Sequence, residues 1–184
     1  MAKRRRLSQQ DWIQAGMRAL SSDGPSALKA EALARSLKTT KGSFYWHFLD
    51  VAAFHHAIME FWEARAYSDI VAALDRLPDP RQRLRRLGQI VTNAAPHDYG
   101  GAALEPAIRA WARSSDEIAA AVRRVDQKRI AYLANQLEQI GISNPDFARM
   151  IYAAYIGFDD LLVLDGQENQ SAMGSLVDLI LALE

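Results

Sequence analysis

Apolar side chains in this sequence return every three or four positions, segment after segment, and nowhere alternate with polar ones over the length of a strand. That spacing follows the α-helix, which repeats about every 3.6 residues, so the apolar groups can be buried only by packing helices together. An all-α fold of about nine helices is predicted. Ser8 caps the first, with Asp11 at the capping-box distance and Trp12, Ala15, Ala19 and Leu20 on one face. Asp23-Gly24-Pro25 ends it, and Leu28, Ala32, Leu33 and Leu37 form the stripe of a second. A third, of about two turns, is expected over 40–48, with Phe44 and Phe48 one turn apart and facing inward.

A much longer helix follows from Asp50, sustained by Val51, Phe54, Ile58 and Phe61 and extended by Trp62 and Ile70 toward Leu77. At about 1.5 Å per residue it spans roughly 40 Å, enough to join two domains. Pro78-Asp79-Pro80 stops it, and further helices are expected over 81–95, 103–112, 116–140, 145–165 and 170–183. Ser114 or Ser115, Gly141 and Asn144-Pro145 supply caps, and Pro96 to Gly101 reads as a loop. Residues 1–49 form one predicted domain and 50–184 the other.

Composition narrows the function. With 49% hydrophobic and 24% charged residues the chain is that of an ordinary globular protein. No cysteine is present, which excludes a disulfide framework and a thiolate metal site. No apolar run approaches the ~18 residues of a membrane span, and Lys3 to Arg6 leads into polar Ser8-Gln9-Gln10, so a cytoplasmic protein without a membrane partner is expected. Adjacent His55-His56 and Asp159-Asp160 lack the one-turn spacing of a helical metal site, and no nucleophile with its base stands out. Neither enzyme, cofactor nor metal is expected.

The 22 basic and 22 acidic residues balance, but not locally. Residues 1–49 hold nine basic groups (Lys3, Arg4, Arg5, Arg6, Arg18, Lys29, Arg35, Lys38, Lys41) against three acids (Asp11, Asp23, Glu31). Residues 50–184 hold 13 basic and 19 acidic groups. A basic head on an acidic body points to a polyanion. Within that head, Thr39, Thr40, Lys41 and Ser43 offer hydroxyls and a cation to base edges, and Gly42 leaves room for close approach. Tyr45 and His47 can donate to phosphates, and Lys3 to Arg6 can reach a groove or backbone. Trp46 suits either a phosphate or sugar contact or packing.

Leu33-Ala34 followed by Thr40-Lys41-Gly42-Ser43-Phe44-Tyr45-Trp46-His47-Phe48 resembles the helix-turn-helix of the tetracycline-repressor (TetR) family of bacterial transcriptional regulators, matching at Gly42, Tyr45 and Phe48. The order and lengths of the helices fit the resemblance too. It implies a three-helix DNA-binding head joined by a long helix to a helical ligand-binding and dimerisation domain, with double-stranded operator DNA as partner. The DNA-binding set is then Lys38, Thr39, Thr40, Lys41, Gly42, Ser43, Tyr45, Trp46 and His47. Two positions depart from the family: Lys38 stands where a turn glycine is usual, and Val51 where a phosphate-binding cation is usual. Either Lys38 takes a left-handed backbone or the turn differs.

The resemblance also implies a small-molecule effector and a homodimer formed by the last two helices. Aromatics and polar groups in the body supply a candidate ligand set: Phe61, Trp62, Glu105, Arg109, Trp111, Tyr132, Tyr155, Phe158 and Asp159. Each aromatic, Tyr152 included, fits a plain core position as well. A buried Glu105 or Arg109 must be paired, with each other one turn apart or with a ligand. The last two helices carry more apolar surface than one subunit can bury, and Ala153, Gly157, Leu161, Leu164, Leu176 and Ile180 are the expected dimer contacts. The expected function is a dimeric repressor on a pseudo-palindromic operator, released by a small apolar or aromatic ligand. The alternatives are a constitutive or activating DNA-binding regulator and a helical interaction module without operator recognition.

Overall fold

The first helix starts where its cap was expected. The Ser8 side chain accepts from the Asp11 amide and the Asp11 carboxylate accepts from the Ser8 amide at 2.7 Å, closing a capping box at the head of α1 (Gln9–Asp23). The computed structural model describes residues 6–92 and 97–183, and among these the secondary structure is helical with no strand. After α1 come α2 (Ala30–Ser36) and α3 (Lys41–Tyr45). The long helix, α4, covers 51–74 as α-helix Val51–Glu63, a π turn Ala64–Ser68 and α-helix Asp69–Leu74. Then follow α5 (Pro80–Val91), α6 (Leu104–Ala112), α7 (Asp116–Glu138), α8 (Pro145–Asp165) and α9 (Gln170–Leu181).

Expected and observed boundaries differ most at α3 and α5. Thr40 is the N-cap of α3, its hydroxyl accepting from the Ser43 amide, and Trp46-His47 leave the helix as a turn, so one short turn replaces the predicted two. The α5 helix ends at Val91, and residues 93–95, predicted as its last turn, lie outside the described residues.

Aromatic packing holds the head together. Phe44, fully buried, sets its ring edge-on to Trp12 of α1 at 5.4 Å and to Phe54 of α4 at 5.2 Å, while Phe48 stacks its edge on Phe54 at 4.8 Å. These rings belong to a core that continues without a break from the head into Trp62, Leu104, Ile108, Trp111 and Val125. A second core gathers Leu84, Leu133, Leu137, Ile151, Met173 and Val177 at the far end of the body. Gly16 lets α1 and α4 meet: a methyl group there would stand 2.6 Å from Phe54 Cζ and 2.8 Å from Ile58 Cδ1, both on fully buried side chains.

Gly16→Ala is therefore expected to lose about 1–2 kcal/mol, because overpacking against two fixed neighbours outweighs the better helix propensity of alanine. A thermal melt of the variant against the parent chain checks this, and an unchanged or raised midpoint contradicts it.

Candidate nucleic-acid interface and cleft

Between α2 and α3 the chain reverses in a turn closed by Thr39 N–H to the Ala34 carbonyl at 2.8 Å and Lys38 N–H to the Arg35 carbonyl at 3.1 Å. This is the Schellman arrangement that usually carries glycine, and here Lys38 occupies it with φ 51°. The left-handed alternative holds, and a side chain in that region costs on the order of 1–2 kcal/mol. With Phe44 and Phe48 turned inward, the rest of the segment faces out: Trp46 is 79% exposed, Leu49 87%, and Tyr45, Lys41 and Gly42 are exposed beside them. Among the described residues the only atom within 4 Å of a methyl group built on Gly42 is Thr40 Oγ1 at 3.8 Å, so none of them requires glycine in this short helix. Thr39, Ser43 and His47 are half-buried. The Lys41 ammonium pairs with the exposed Glu31 carboxylate of α2 and lies 5.7 Å from the Tyr45 ring centre. That pairing, a hydrogen bond first, raises the lysine's pKa and lowers the glutamate's. Arg6 stacks its guanidinium over Trp46 at 5.9 Å, which brings the start of the described chain to the outer edge of α3; Lys3, Arg4 and Arg5, expected to reach DNA, lie outside the described residues.

Deep in the body, three helices meet at one carboxylate and a fourth joins through a second. Glu105 of α6 accepts from Arg109 one turn on at 3.0 Å, from Arg129 of α7 at 2.9 Å and from the Trp62 indole of α4 at 3.1 Å. Arg109 also donates to Asp126 at 2.7 Å, and the Tyr152 hydroxyl of α8 donates to the same carboxylate at 2.6 Å. Two acids and two guanidinium groups balance. Burial works against the charge on both arginines, but Asp126 and Glu105 hold Arg109, and Glu105 holds Arg129, firmly protonated. Burial likewise opposes ionisation of Asp126, and the bonds from Arg109 and Tyr152 overcome it, leaving its pKa lowered. The Tyr152 hydroxyl, buried, is pushed up to about 12. Arg129 Nε also donates to the Ala66 carbonyl at 3.1 Å, inside the π turn.

Beside this network opens a cleft of about 530 Å³, walled by Phe61, Trp62 and Arg65 of α4, Met17 of α1, Tyr99 of the turn before α6, and Glu105, Arg129, Tyr155 and Asp159. Burial raises the Asp159 carboxyl to about 6, with Glu105 adding to the rise, while the Tyr155 hydroxyl, Arg129 and Arg109 pull it back. A smaller apolar cavity, of about 50 Å³, lies between the cleft and the second core, and Ala66, Ile70, Val91, Arg129 and Tyr155 border both.

Residues 13–51 match the family model of bacterial regulatory proteins, tetR family. The match covers the amino-terminal helices and is to the TetR family. Its whole length is similar in fold to solved transcriptional regulators at low identity. A regulator from Rhodococcus sp. Rha1 is 15% identical with a TM-score of 0.74, over 96% of this chain and 95% of that one. The fatty acid degradation regulator FadR of Bacillus halodurans is 15% identical with a TM-score of 0.75, over 97% of each chain. NemR of E. coli in its reduced form is 18% identical with a TM-score of 0.69, over 94% of this chain and 95% of that one. No curated protein matches the sequence.

The TetR-family match ends at Val51, which stands half-buried against the first core where the family pattern has a cation. Of the nine ligand candidates, Phe61, Trp62, Glu105, Tyr155 and Asp159 border the cleft and Tyr132 the apolar cavity. The other three line neither. Arg109 is consumed by the ion network, Trp111 is buried against His55 at 5.0 Å between ring centres, and Phe158 packs on the second core. Arg65, Tyr99 and Arg129 were not anticipated. The signal for Arg129 was present: on α7 it continues the spacing of Val122, Val125 and Leu133, a charge on the buried stripe. Among the expected dimer contacts Ala153, Gly157, Leu161 and Leu164 are exposed and Leu176 is half-buried, but Ile180 is not available. It is 3% exposed, because α9 turns Met173, Val177, Ile180 and Leu181 inward and leaves Leu179 outside. Among the described residues no cluster of metal ligands occurs and no helix is long and apolar enough to cross a membrane.

Because Glu31 holds Lys41 and sets a negative charge beside the outward edge, Glu31→Gln is expected to tighten DNA binding by the TetR-family head, more at low salt than at high. Fluorescence anisotropy on labelled duplex across a salt series measures it; equal or weaker binding at low salt contradicts the expectation.

Proposed function

We propose that this TetR-family regulator is a dimeric, cytoplasmic transcriptional repressor whose head, residues 1–49, reads a pseudo-palindromic operator, and whose body, residues 50–184, releases it on binding a small, largely apolar or aromatic molecule. The observation that carries the DNA assignment is the two-sidedness of residues 38–49: aromatic rings anchor one side in the core while Lys41, Gly42, Tyr45 and Trp46 stand out on the other. Glycine weakens a helix interior, and the open space above Gly42 suits an approach by something outside the chain. In this reading Thr39 to Ser43 face base edges, Tyr45, Trp46 and His47 meet the backbone, and Lys38 supplies charge from the turn. Lys41→Ala and Tyr45→Phe are each expected to weaken binding to the promoter beside the gene in a gel shift. Unchanged binding would sink the assignment and favour a helical interaction module instead.

Ligand response is supported by where the cleft lies. Its wall includes Met17 of the head, and the turn that contributes Tyr99 rests on α1, with Arg18 donating to the Asp98 carbonyl at 3.1 Å. An occupant that prefers one arrangement of these walls shifts α4 and α1 together, by no more than its differential affinity for the two states.

Dimerisation is supported by the outer face of α8, where Met150, Ala153, Gly157, Leu161 and Leu164 are exposed at three- and four-residue spacing, and by Leu179 on α9 and Leu183 just beyond it. Two small residues midway allow a partner helix to come close. Two heads would then meet successive major grooves. Leu164→Asp, at a side chain 81% exposed, is expected to shift sedimentation from dimer to monomer without lowering helix content; a parent chain that is monomeric at micromolar concentration refutes the pairing.

A further inference from the structure

All but one of the charged groups that border the cleft have a partner of opposite sign. Glu105 is answered by Arg109 and Arg129, and Arg129 is further spent on the Ala66 carbonyl. Arg65 faces Asp69 at 3.9 Å and lies over the Tyr99 and Phe61 rings at 4.6 and 5.6 Å. Asp159 is the exception. Its contact is the Tyr155 hydroxyl on its own helix, and among the described residues no basic side chain forms an ion pair with it. The cleft thus holds one carboxylate in surplus, set among aromatic walls and next to an apolar cavity that shares five of its lining residues.

A carboxylate half withdrawn from water and left without an ion-pair partner is costly, and the cost falls when a ligand brings the missing charge. An anionic ligand has less to gain. The Arg129 guanidinium is nearly enclosed and already committed, and Arg65, half exposed, would have to leave both rings to meet it. The rings themselves suit a cation, since Trp62 and Tyr155 flank Arg129 as Phe61 and Tyr99 flank Arg65.

We propose that the effector of this cleft is a small organic monocation carrying an apolar group, with Asp159 as its counter-ion and the apolar group directed toward the cavity between Ala66, Ile70 and Tyr155. This rests on the reading of the body as ligand-binding and adds the charge class. The groups that face Asp159 are Glu105 and Arg109 from α6, Arg129 from α7 and Tyr155 from its own helix; Arg65, Asp69 and Tyr99 complete the charged and titratable rim. A bound cation stabilises the ionised carboxylate, so affinity holds above pH about 6 and falls below it as Asp159 takes up its proton.

The test uses the full chain and three probes of similar size: phenyltrimethylammonium, whose charge does not titrate, its neutral isostere tert-butylbenzene, and phenylacetate. Calorimetric titration at pH 7.5 is expected to give the cation at least about a tenfold advantage over both. That advantage disappears in Asp159→Asn with the neutral probe's affinity unchanged, and survives in Asp160→Asn, the exposed neighbour. From pH 7.5 to 5 the cation's affinity falls about tenfold in the parent chain and stays level in Asp159→Asn. A cation that binds no better than its isostere, or an advantage that survives Asp159→Asn, overturns the proposal, as does the absence of any binding. Tighter binding of the neutral or anionic probe overturns only the charge class and leaves a ligand-binding body standing. Operator binding that ignores the bound cation counts against ligand response alone. Matching circular dichroism spectra for both variants exclude misfolding as the cause.

Discussion

Everything in the body is arranged around a carboxylate that cannot be left alone. Glu105 sits in the interior, where an unpaired charge costs several kcal/mol, and its partners arrive from α4, α6 and α7, with Tyr152 of α8 joining through Asp126. Apolar packing alone tolerates sliding of one helix over another. Directional bonds to a buried charge do not, because a shift of an ångström or two breaks several at once. The network lies between the two apolar cores, so it sets the angle at which the end bearing the head meets the end bearing α8 and α9.

The helices were legible because each has a local signal: the Ser8 and Asp11 box, Asn144-Pro145 at the start of α8, the glycine after it. The inward pair Phe44 and Phe48 was legible from spacing. What could not be read were the matters that depend on which side of a helix another helix chooses. Ile180 and Leu179 are neighbours of equal hydrophobicity, and only the angle of α9 against α5 buries the first and exposes the second. Arg109 and Trp111 were expected at a pocket for sound chemical reasons, yet the same reasons serve a core equally well. Asp126 and Arg129 are seventeen and twenty-four residues from their partners on α6, beyond the reach of any helical period.

Division into head and body, plain in the charge distribution, is not a division of the core. Phe54 of the long helix packs on Phe44 and Phe48, and the same cluster runs on to Trp62 and Val125. Charge describes what each end meets outside; packing describes what each end stands on. The two are set by different residues on the same helices, which is how a basic head and an acidic body can share one interior.

The π turn at 64–68 bears on how force travels. A continuous α-helix carries a push along its axis with little loss, whereas a turn with wider spacing has looser bonds and a carbonyl free to accept from elsewhere, here from Arg129. The long helix is then less a rod than two stiff lengths joined by a compliant coupling at the height of the cleft. The turn of Tyr99, tied to α1 by the Arg18 contact to Asp98 and the Gln10 contact to Tyr99, borders the same cleft and reaches α1 without crossing that coupling.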